Sequence, residues 1–234
     1  MRDQGRWRVK LYCAAAVLFG FVGIVGAQDA SAPAPVPVDE EPMHHVVLRN
    51  DAVIAMHVAI PPGERSKFHI HGHDRVAIEL CTTTITQQNL NEAEGKEGAV
   101  KPGDFSVITL GAAPVIHRVH NTGKTTFEVL DVELLQRPQS PSTKVAGEVA
   151  GENPSARVYR WVLAPGASSA MHTHERPYLI VSATPMQLKM TGADGKSMSH
   201  EVKAGDFHWV DTKVTHSLSN DGTTEGQIFE IELK

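Results

Sequence analysis

The sequence predicts an all-β fold made of two tandem antiparallel barrels of the jelly-roll type. A histidine motif occurs twice, as His69-Ile70-His71 and as His172-Thr173-His174, and each copy follows a Pro-Gly turn after five residues. Short runs of alternating apolar and polar side chains, separated by turns, fill the rest of the chain, as expected of half-buried strands. No window has a convincing 3.6-residue apolar period with a cap at each end, so we expect few and short helices.

Residues 1–27 have the features of a secretory signal peptide. Basic residues precede the apolar run from Leu11 to Gly26, and Ala27 is the small residue expected before a cleavage site at Gln28. The alternative is an uncleaved membrane anchor, but this run is short for a span. We therefore expect a periplasmic or secreted protein with no stable membrane span after processing.

Composition narrows the class of ligand. The net charge is −5 at pH 7, and aromatic residues make up 6% of the chain. An acidic chain without a basic cluster is a poor candidate for binding nucleic acid, so we expect a small-molecule ligand or substrate. Only Cys81 follows the signal peptide, which excludes an intramolecular disulfide in the mature chain. A homodimer is compatible with the sequence.

Changes in composition divide the chain into segments. A stretch rich in proline and alanine indicates a tether, and a stretch rich in proline, glycine and serine indicates a linker. Each predicted barrel closes on a run in which acidic and apolar residues alternate. The predicted segments are the signal peptide 1–27, the tether 28–42, the first barrel 43–136, the linker 137–153 and the second barrel 154–234.

The paired histidines predict a metal site in each barrel. Two histidines one residue apart project from the same face of a strand, and a third on a neighbouring strand would complete a facial set of imidazoles. A second repeated signature, Gly-Asp-Phe followed by His-x-x-x-Asn, supplies that third histidine. The alternative is a pair of metal-free barrels in which histidines pair with each other or with water. The candidate ligands are His69, His71 and His117 in the first barrel and His172, His174 and His216 in the second.

These motifs resemble those of the cupin superfamily, specifically a two-domain bicupin. The first family motif is G-x5-H-x-H-x3,4-E-x6-G, and the second is G-x5-P-x-G-x2-H-x3-N. The matching glycines and asparagines are Gly63, Gly103, Asn121, Gly166, Gly205 and Asn220. The resemblance covers about residues 43–234 and implies a divalent metal ion such as Fe, Mn, Zn or Ni, with its identity open. The motif glutamate is missing, because Arg75 and Tyr178 stand at its three-residue spacing.

Three imidazoles without a carboxylate would leave a divalent ion with its full charge and up to three open positions. Such a site resembles that of some cupin dioxygenases, which suggests an Fe(II) or Mn(II) enzyme acting on a small anionic molecule. Arg75 could bind a substrate carboxylate, or it could be an exposed arginine paired with Asp74. Tyr178 could donate its hydroxyl to bound substrate, or it could be a core aromatic with a satisfied hydroxyl.

Two further function classes stay open. A metal-assisted isomerase or lyase needs an acid and a base near the ion, and Tyr178, His73 and His120 are the candidates. A non-catalytic periplasmic module that binds a small, sugar-like molecule needs neither. The fold does not choose among these classes.

Overall fold

The computed structural model describes residues 34–136, 145 and 147–234, which form two β-sheet halves. The predicted all-β architecture is confirmed: within these residues the helical content is one 3₁₀ turn, Val38–Glu40. No described helix has the length and hydropathy that a membrane span requires. The strands of the first half are β1 Val36–Pro37, β2 His44–Arg49, β3 Val53–Ile60, β4 His69–His71, β5 Asp74–Glu79, β6 Thr83–Asn89, β7 Gly98–Val100, β8 Phe105–Ile108, β9 Val115–Asn121 and β10 Phe127–Leu134.

The second half repeats this series of strands. Its strands are β11 Val149–Glu152, β12 Ala156–Leu163, β13 His172–His174, β14 Tyr178–Ser182, β15 Met186–Gly192, β16 Ser197–Val202, β17 Phe207–Val210, β18 Val214–Asn220 and β19 Gly226–Leu233. Val and Ile recur in these strands because branched side chains fit a pleated, half-buried surface.

Each half consists of two sheets. In the first half the strand orders are β1-β4-β9-β6-β7 and β2-β3-β10-β5-β8. In the second half they are β13-β18-β15-β16 and β11-β12-β19-β14-β17. All described pairs are antiparallel except β1 with β4. The histidine motif therefore lies in one sheet of each half, and the closing strand, β10 or β19, lies in the other.

Two segment boundaries differ from those that the sequence predicts. The predicted tether contains β1, which pairs with β4, and Val38, which is buried. A proline fits β1 because an edge strand does not need every N–H group. The predicted linker likewise contains β11, which pairs with β12. The signal peptide and residues 28–33 of the tether fall outside the described residues, as do residues 137–144 and 146 of the linker.

The two halves share one hydrophobic core. Alternate residues of β10 (Leu130, Val132, Leu134) and of β19 (Phe229, Ile231) are buried in it. The Phe105 ring of the first half lies 5.2 Å from the Phe229 ring of the second. Because successive side chains of a strand point to opposite faces, the acidic residues between these apolar ones face the interior of their own half.

Polar contacts also join the halves at the edge of this core. The Ser155 hydroxyl donates a hydrogen bond of 2.7 Å to Asp74 Oδ2, and the Asn153 amide donates one of 3.1 Å to the Ile108 carbonyl. Buried hydrogen bonds have directional requirements, so these contacts fix the register of one half against the other.

Candidate metal centres

The second half brings its three predicted histidines together. His172 on β13 lies opposite His216 on β18, and His174 follows two residues along β13 on the same face. All three side chains are buried, with relative exposures of 3%, 2% and 0% in that order. The alternation of the strand thus produces the facial arrangement that the sequence predicts.

A carboxylate from the other sheet joins this cluster. Glu230 Oε1 lies 3.0 Å from His216 Nε2 and 3.3 Å from His174 Nε2. Its second oxygen, Oε2, lies 3.2 Å from His172 Nε2. Together with Glu230, the three histidines form a group whose ligand atoms all lie within 4.8 Å of one another.

This geometry fits a divalent ion. Ligand atoms about 2.1 Å from an ion and at right angles to each other lie about 3.0 Å apart, which is close to the nitrogen–oxygen separations in the cluster. Buried Nε2 atoms of His174 and His216, and Glu230 Oε1, have no hydrogen-bond partner. Buried polar atoms are normally paired, so these atoms indicate a missing partner at their common centre.

Histidine and carboxylate shift each other's pKa in this cluster. Burial acts to raise the pKa of Glu230, but its close contacts with the three histidines hold it well below its usual value. Burial acts to lower the pKa of His174, but the nearby carboxylates of Glu230 and Glu232 raise it to about 9. The carboxylate is therefore ionised at neutral pH and suited to bind a cation.

Two aromatic side chains hold this cluster in place. Trp161 Nε1 donates a hydrogen bond of 2.6 Å to Glu230 Oε2, and its ring stacks on His172 with centroids 4.9 Å apart. The Tyr178 ring stacks on His174 at 3.9 Å. These contacts fix the orientation of ligand side chains, which is the usual task of residues around a metal site.

Tyr178 also lines a pocket of about 730 Å³. Its hydroxyl is buried and has no hydrogen-bond partner among the described residues. Burial, together with the charges of Glu230 and Glu232, raises the pKa of Tyr178 above its usual value. Apolar residues form most of the remaining wall, among them Ile180, Leu188, Met190, Val210 and Ile228.

The first half also assembles its predicted triplet. His69, His71 and His117 are buried and form a group with ligand atoms within 4.8 Å. The Nε2 atoms of His71 and His117 lie 2.9 Å apart, which again fits adjacent positions around an ion. His71 Nδ1 contacts Glu133 Oε1 at 2.7 Å, which orients the opposite nitrogen toward the triplet.

Burial keeps the first triplet neutral. Desolvation lowers the pKa of His69 to about 3, that of His71 to about 4 and that of His117 to about 2. Neutral imidazole is the form that binds metal ions, so these histidines are already in the ligand state at pH 7.

The first half lacks a free carboxylate ligand. Asp131 occupies the strand position that Glu230 occupies in the second half, opposite Ala77 where Glu230 is opposite Ile180. Its Oδ2 accepts a hydrogen bond of 3.1 Å from Arg75 Nη1. The expectation of an exposed Arg75 paired with Asp74 is wrong: its side chain is 13% exposed and its partner is Asp131.

Sequence reasoning missed Glu230, and the prediction of a second site without a carboxylate is wrong. The cluster takes its carboxylate from the closing strand β19 instead of from the motif position, where Tyr178 lies. The available signal was the alternation of acidic and apolar residues in both closing strands. Of the extra histidines, His73 contacts Glu133 and His120 contacts Glu94.

Comparisons with known proteins agree on the fold. No protein-family model matches the chain, and neither does any curated protein. Among solved structures, AerE from Microcystis aeruginosa is 15% identical with a TM-score of 0.58, over 86% of this chain and 98% of AerE. A cupin 2 conserved barrel domain protein from Leptotrichia buccalis is 14% identical with a TM-score of 0.52, over 82% and 88%. A salicylate 1,2-dioxygenase variant from Pseudoaminobacter salicylatoxidans is 12% identical with a TM-score of 0.53, over 78% and 71%.

Proposed function

Since the chain has the fold of the cupin superfamily, we propose that its second half is an Fe(II)- or Mn(II)-dependent oxidising enzyme for a small anionic molecule. The observation that carries this proposal is the cluster of His172, His174, His216 and Glu230, with unpartnered ligand atoms around one centre. Three imidazoles and a carboxylate suit a divalent transition metal.

His172, His174, His216 and Glu230 would hold the ion, and four protein ligands would leave room for a substrate beside it. The Glu230 carboxylate would cancel half of the charge of a divalent ion, so the centre would keep a net positive charge. That charge favours a substrate with an anionic oxygen or sulfur atom, and the ion would supply the redox chemistry for reaction with dioxygen. The apolar pocket wall beyond Tyr178 favours a substrate whose remaining atoms are apolar.

Tyr178 is the residue that we assign to substrate orientation. Tyr178 lines the pocket, and its buried hydroxyl has no partner among the described residues, which supports a role as a donor to bound substrate. A tyrosine with a raised pKa is a poor base at neutral pH, which favours oxidation over an isomerase or lyase that needs a proton acceptor.

Metal analysis tests the centre. The purified chain should contain about one tightly bound divalent ion, and His172→Ala should lose it, because loss of one imidazole weakens binding by orders of magnitude. His45→Ala, which removes an exposed histidine outside both clusters, is the matched control. Equal metal content in all three proteins would rule out the proposed centre.

Oxygen uptake tests the reaction. The iron- or manganese-loaded chain should consume oxygen with at least one member of a panel of thiols, phenols and keto acids. Tyr178→Phe should keep its metal and show a higher KM with the same compound. Full metal occupancy with no oxygen uptake would contradict the enzyme proposal and favour a metal-containing binding module.

We also propose that the protein is exported and processed before Gln28. The support is the basic flank, the apolar run and the small residue Ala27 in the sequence. Mass spectrometry of the periplasmic fraction should find a chain that starts at Gln28. A chain that keeps Met1 and sediments with membranes would contradict export as a soluble protein.

A further inference from the structure

A cavity of about 210 Å³ lies inside the first half, beside the first histidine triplet: His69 and His117 are part of its wall, together with His44. Ala77, whose side chain is small, pairs with Asp131 across β5 and β10, and both residues line the cavity. Arg75 and Glu79 flank Ala77 on the same face of β5. Val58, Val119, Phe127 and Val129 complete the apolar part of the wall.

Two carboxylate oxygens of this cavity have no partner. Asp131 Oδ2 accepts from Arg75, but Asp131 Oδ1 is buried without a hydrogen bond. Glu79 Oε2 is likewise buried and unpaired. The Asp131 residue is only 4% exposed, so bulk water does not satisfy this oxygen. Buried acceptors without donors cost free energy, which indicates that a donor-rich molecule belongs between them.

The charges of the cavity define the missing molecule. Arg75 forms an ion pair with Asp131, whereas Glu79 has no ion pair among the described residues. Burial raises the pKa of Glu79 to about 7, with a further contribution from the charges of Asp104 and Asp131. A cationic ligand would stabilise the ionised form of Glu79 and supply hydrogen-bond donors to both carboxylates.

We propose that this cavity binds a small protonated primary amine, with its ammonium group between Asp131 and Glu79. An ammonium group has three N–H donors, and Ser106 and Gln87 in the same wall offer further acceptors. At about 30 Å³ per water, the volume admits a ligand of roughly seven non-hydrogen atoms. The apolar wall accommodates a short alkyl chain.

The corresponding pocket of the second half lacks the second carboxylate. Ile180 and Ser182 occupy the strand positions of Ala77 and Glu79, as their pairing with the closing strand shows. Both line the larger pocket of that half, where the Ser182 hydroxyl replaces the Glu79 carboxylate. The amine site goes beyond the proposed oxidation, because it lies in the other half and uses none of the residues around Glu230.

Calorimetry on the full chain tests the site, with metal removed by a chelator. Ethylamine and n-butylamine should bind, whereas n-butanol, which lacks the charge, and tetramethylammonium, which lacks N–H donors, should bind at least tenfold more weakly. Ala77→Ile should abolish binding by filling the cavity without removing a charge. Glu79→Gln should weaken binding at least tenfold, because it removes the unpaired carboxylate.

Glu128→Gln is the matched control, since Glu128 is on β10 but outside the cavity, and it should bind amines like the unchanged protein. Circular dichroism of each variant separates loss of binding from loss of fold. Equal binding of n-butylamine and n-butanol would overturn the proposal, as would amine binding that survives Ala77→Ile in a folded variant. Binding of Mg²⁺ or Mn²⁺ at Glu79 without any amine binding would overturn the proposal and show that the ligand of this cavity is a metal ion.

Discussion

Arg75 forms an ion pair with Asp131 in the first half: its Nη1 atom lies 3.1 Å from Asp131 Oδ2. In the second half Tyr178 takes the place of Arg75, and the corresponding carboxylate, Glu230, contacts all three histidines. The two halves thus differ both at the motif position and in the length of the carboxylate side chain on the closing strand. This contrast predicts a tight metal site in the second half and a weak one in the first.

Arg75→Met should lower the free energy of unfolding by about 3 kcal/mol, because it leaves the buried Asp131 carboxylate without its cation. A saturating divalent ion should restore part of this loss, since the released carboxylate can join His69, His71 and His117. Thermal unfolding with and without Mn²⁺ measures both effects. Arg49→Met, which removes an exposed pair with Asp39, should change stability little and show no added metal response. No metal-dependent recovery in Arg75→Met would contradict this account.

Trp161→Phe should weaken metal binding in the second half about tenfold. The substitution keeps an aromatic ring over His172 but removes the indole donor that fixes Glu230 Oε2. Competition with a chelator of known affinity measures the change. Trp209→Phe, at a position packed against the core between the halves, should bind metal normally. Identical affinities of the two variants would show that the hydrogen bond does not support the centre.

Two tyrosine hydroxyls should respond in opposite directions. Tyr178→Phe should raise the free energy of unfolding by about 1 kcal/mol, because the hydroxyl that it removes is buried and unpaired. Tyr159→Phe should lower it by about 1 kcal/mol, because the Tyr159 hydroxyl accepts a hydrogen bond of 3.1 Å from the Val145 amide. Denaturant unfolding of the metal-free proteins measures both. A destabilised Tyr178→Phe variant would mean that the hydroxyl has a partner in the folded protein.

Glu79 should make the protein less stable as pH rises. Its pKa is raised by burial to about 7 in the folded chain, against about 4.5 for an ordinary glutamate. Between these values Glu79 loses its proton in the unfolded chain and retains it in the folded chain, so the contribution of Glu79 to stability is highest below about pH 4.5 and falls until about pH 7. Glu79→Gln should remove the contribution of Glu79 to this dependence and be about 1–3 kcal/mol more stable at pH 8. If the free energy of unfolding varied with pH in the same way in both proteins, the claim that Glu79 is a buried carboxylate with a raised pKa would be refuted.

The histidine clusters could be predicted because local geometry fixes them. Residues two apart on a strand share a face, so His172 and His174 had to point together wherever the strand lay. The carboxylate could not be predicted in the same way. An acidic residue between apolar ones, such as Glu230, ordinarily faces solvent from a sheet whose apolar face is its core. Here the apolar face of β19 packs in the core between the halves, so its acidic face points into the barrel. This arrangement depends on tertiary structure and cannot be read from the sequence of one strand.

The start of the first half illustrates the same limit. Proline-rich composition predicts a tether, yet Val36–Pro37 pairs with the histidine strand and Val38 is buried. Composition describes what a segment does in isolation, whereas pairing depends on the edge that a distant strand presents. Glu41, at the end of the predicted tether, contacts His44, and the His44 ring lies 4.5 Å from that of His69. The segment predicted to be a tether is thus packed beside the first histidine triplet.

Neighbouring residues of the closing strand β19 serve different functions, because they point to opposite faces of the sheet. Ile231 points into the core between the halves, and its neighbours Glu230 and Glu232 point toward the histidines. The positions of these carboxylates therefore depend on the packing of the hydrophobic core that joins the halves. Removal of a methyl group from this shared core would change the spacing of ligands that the methyl group does not contact. The affinity for the metal ion therefore depends on how well the two halves pack together.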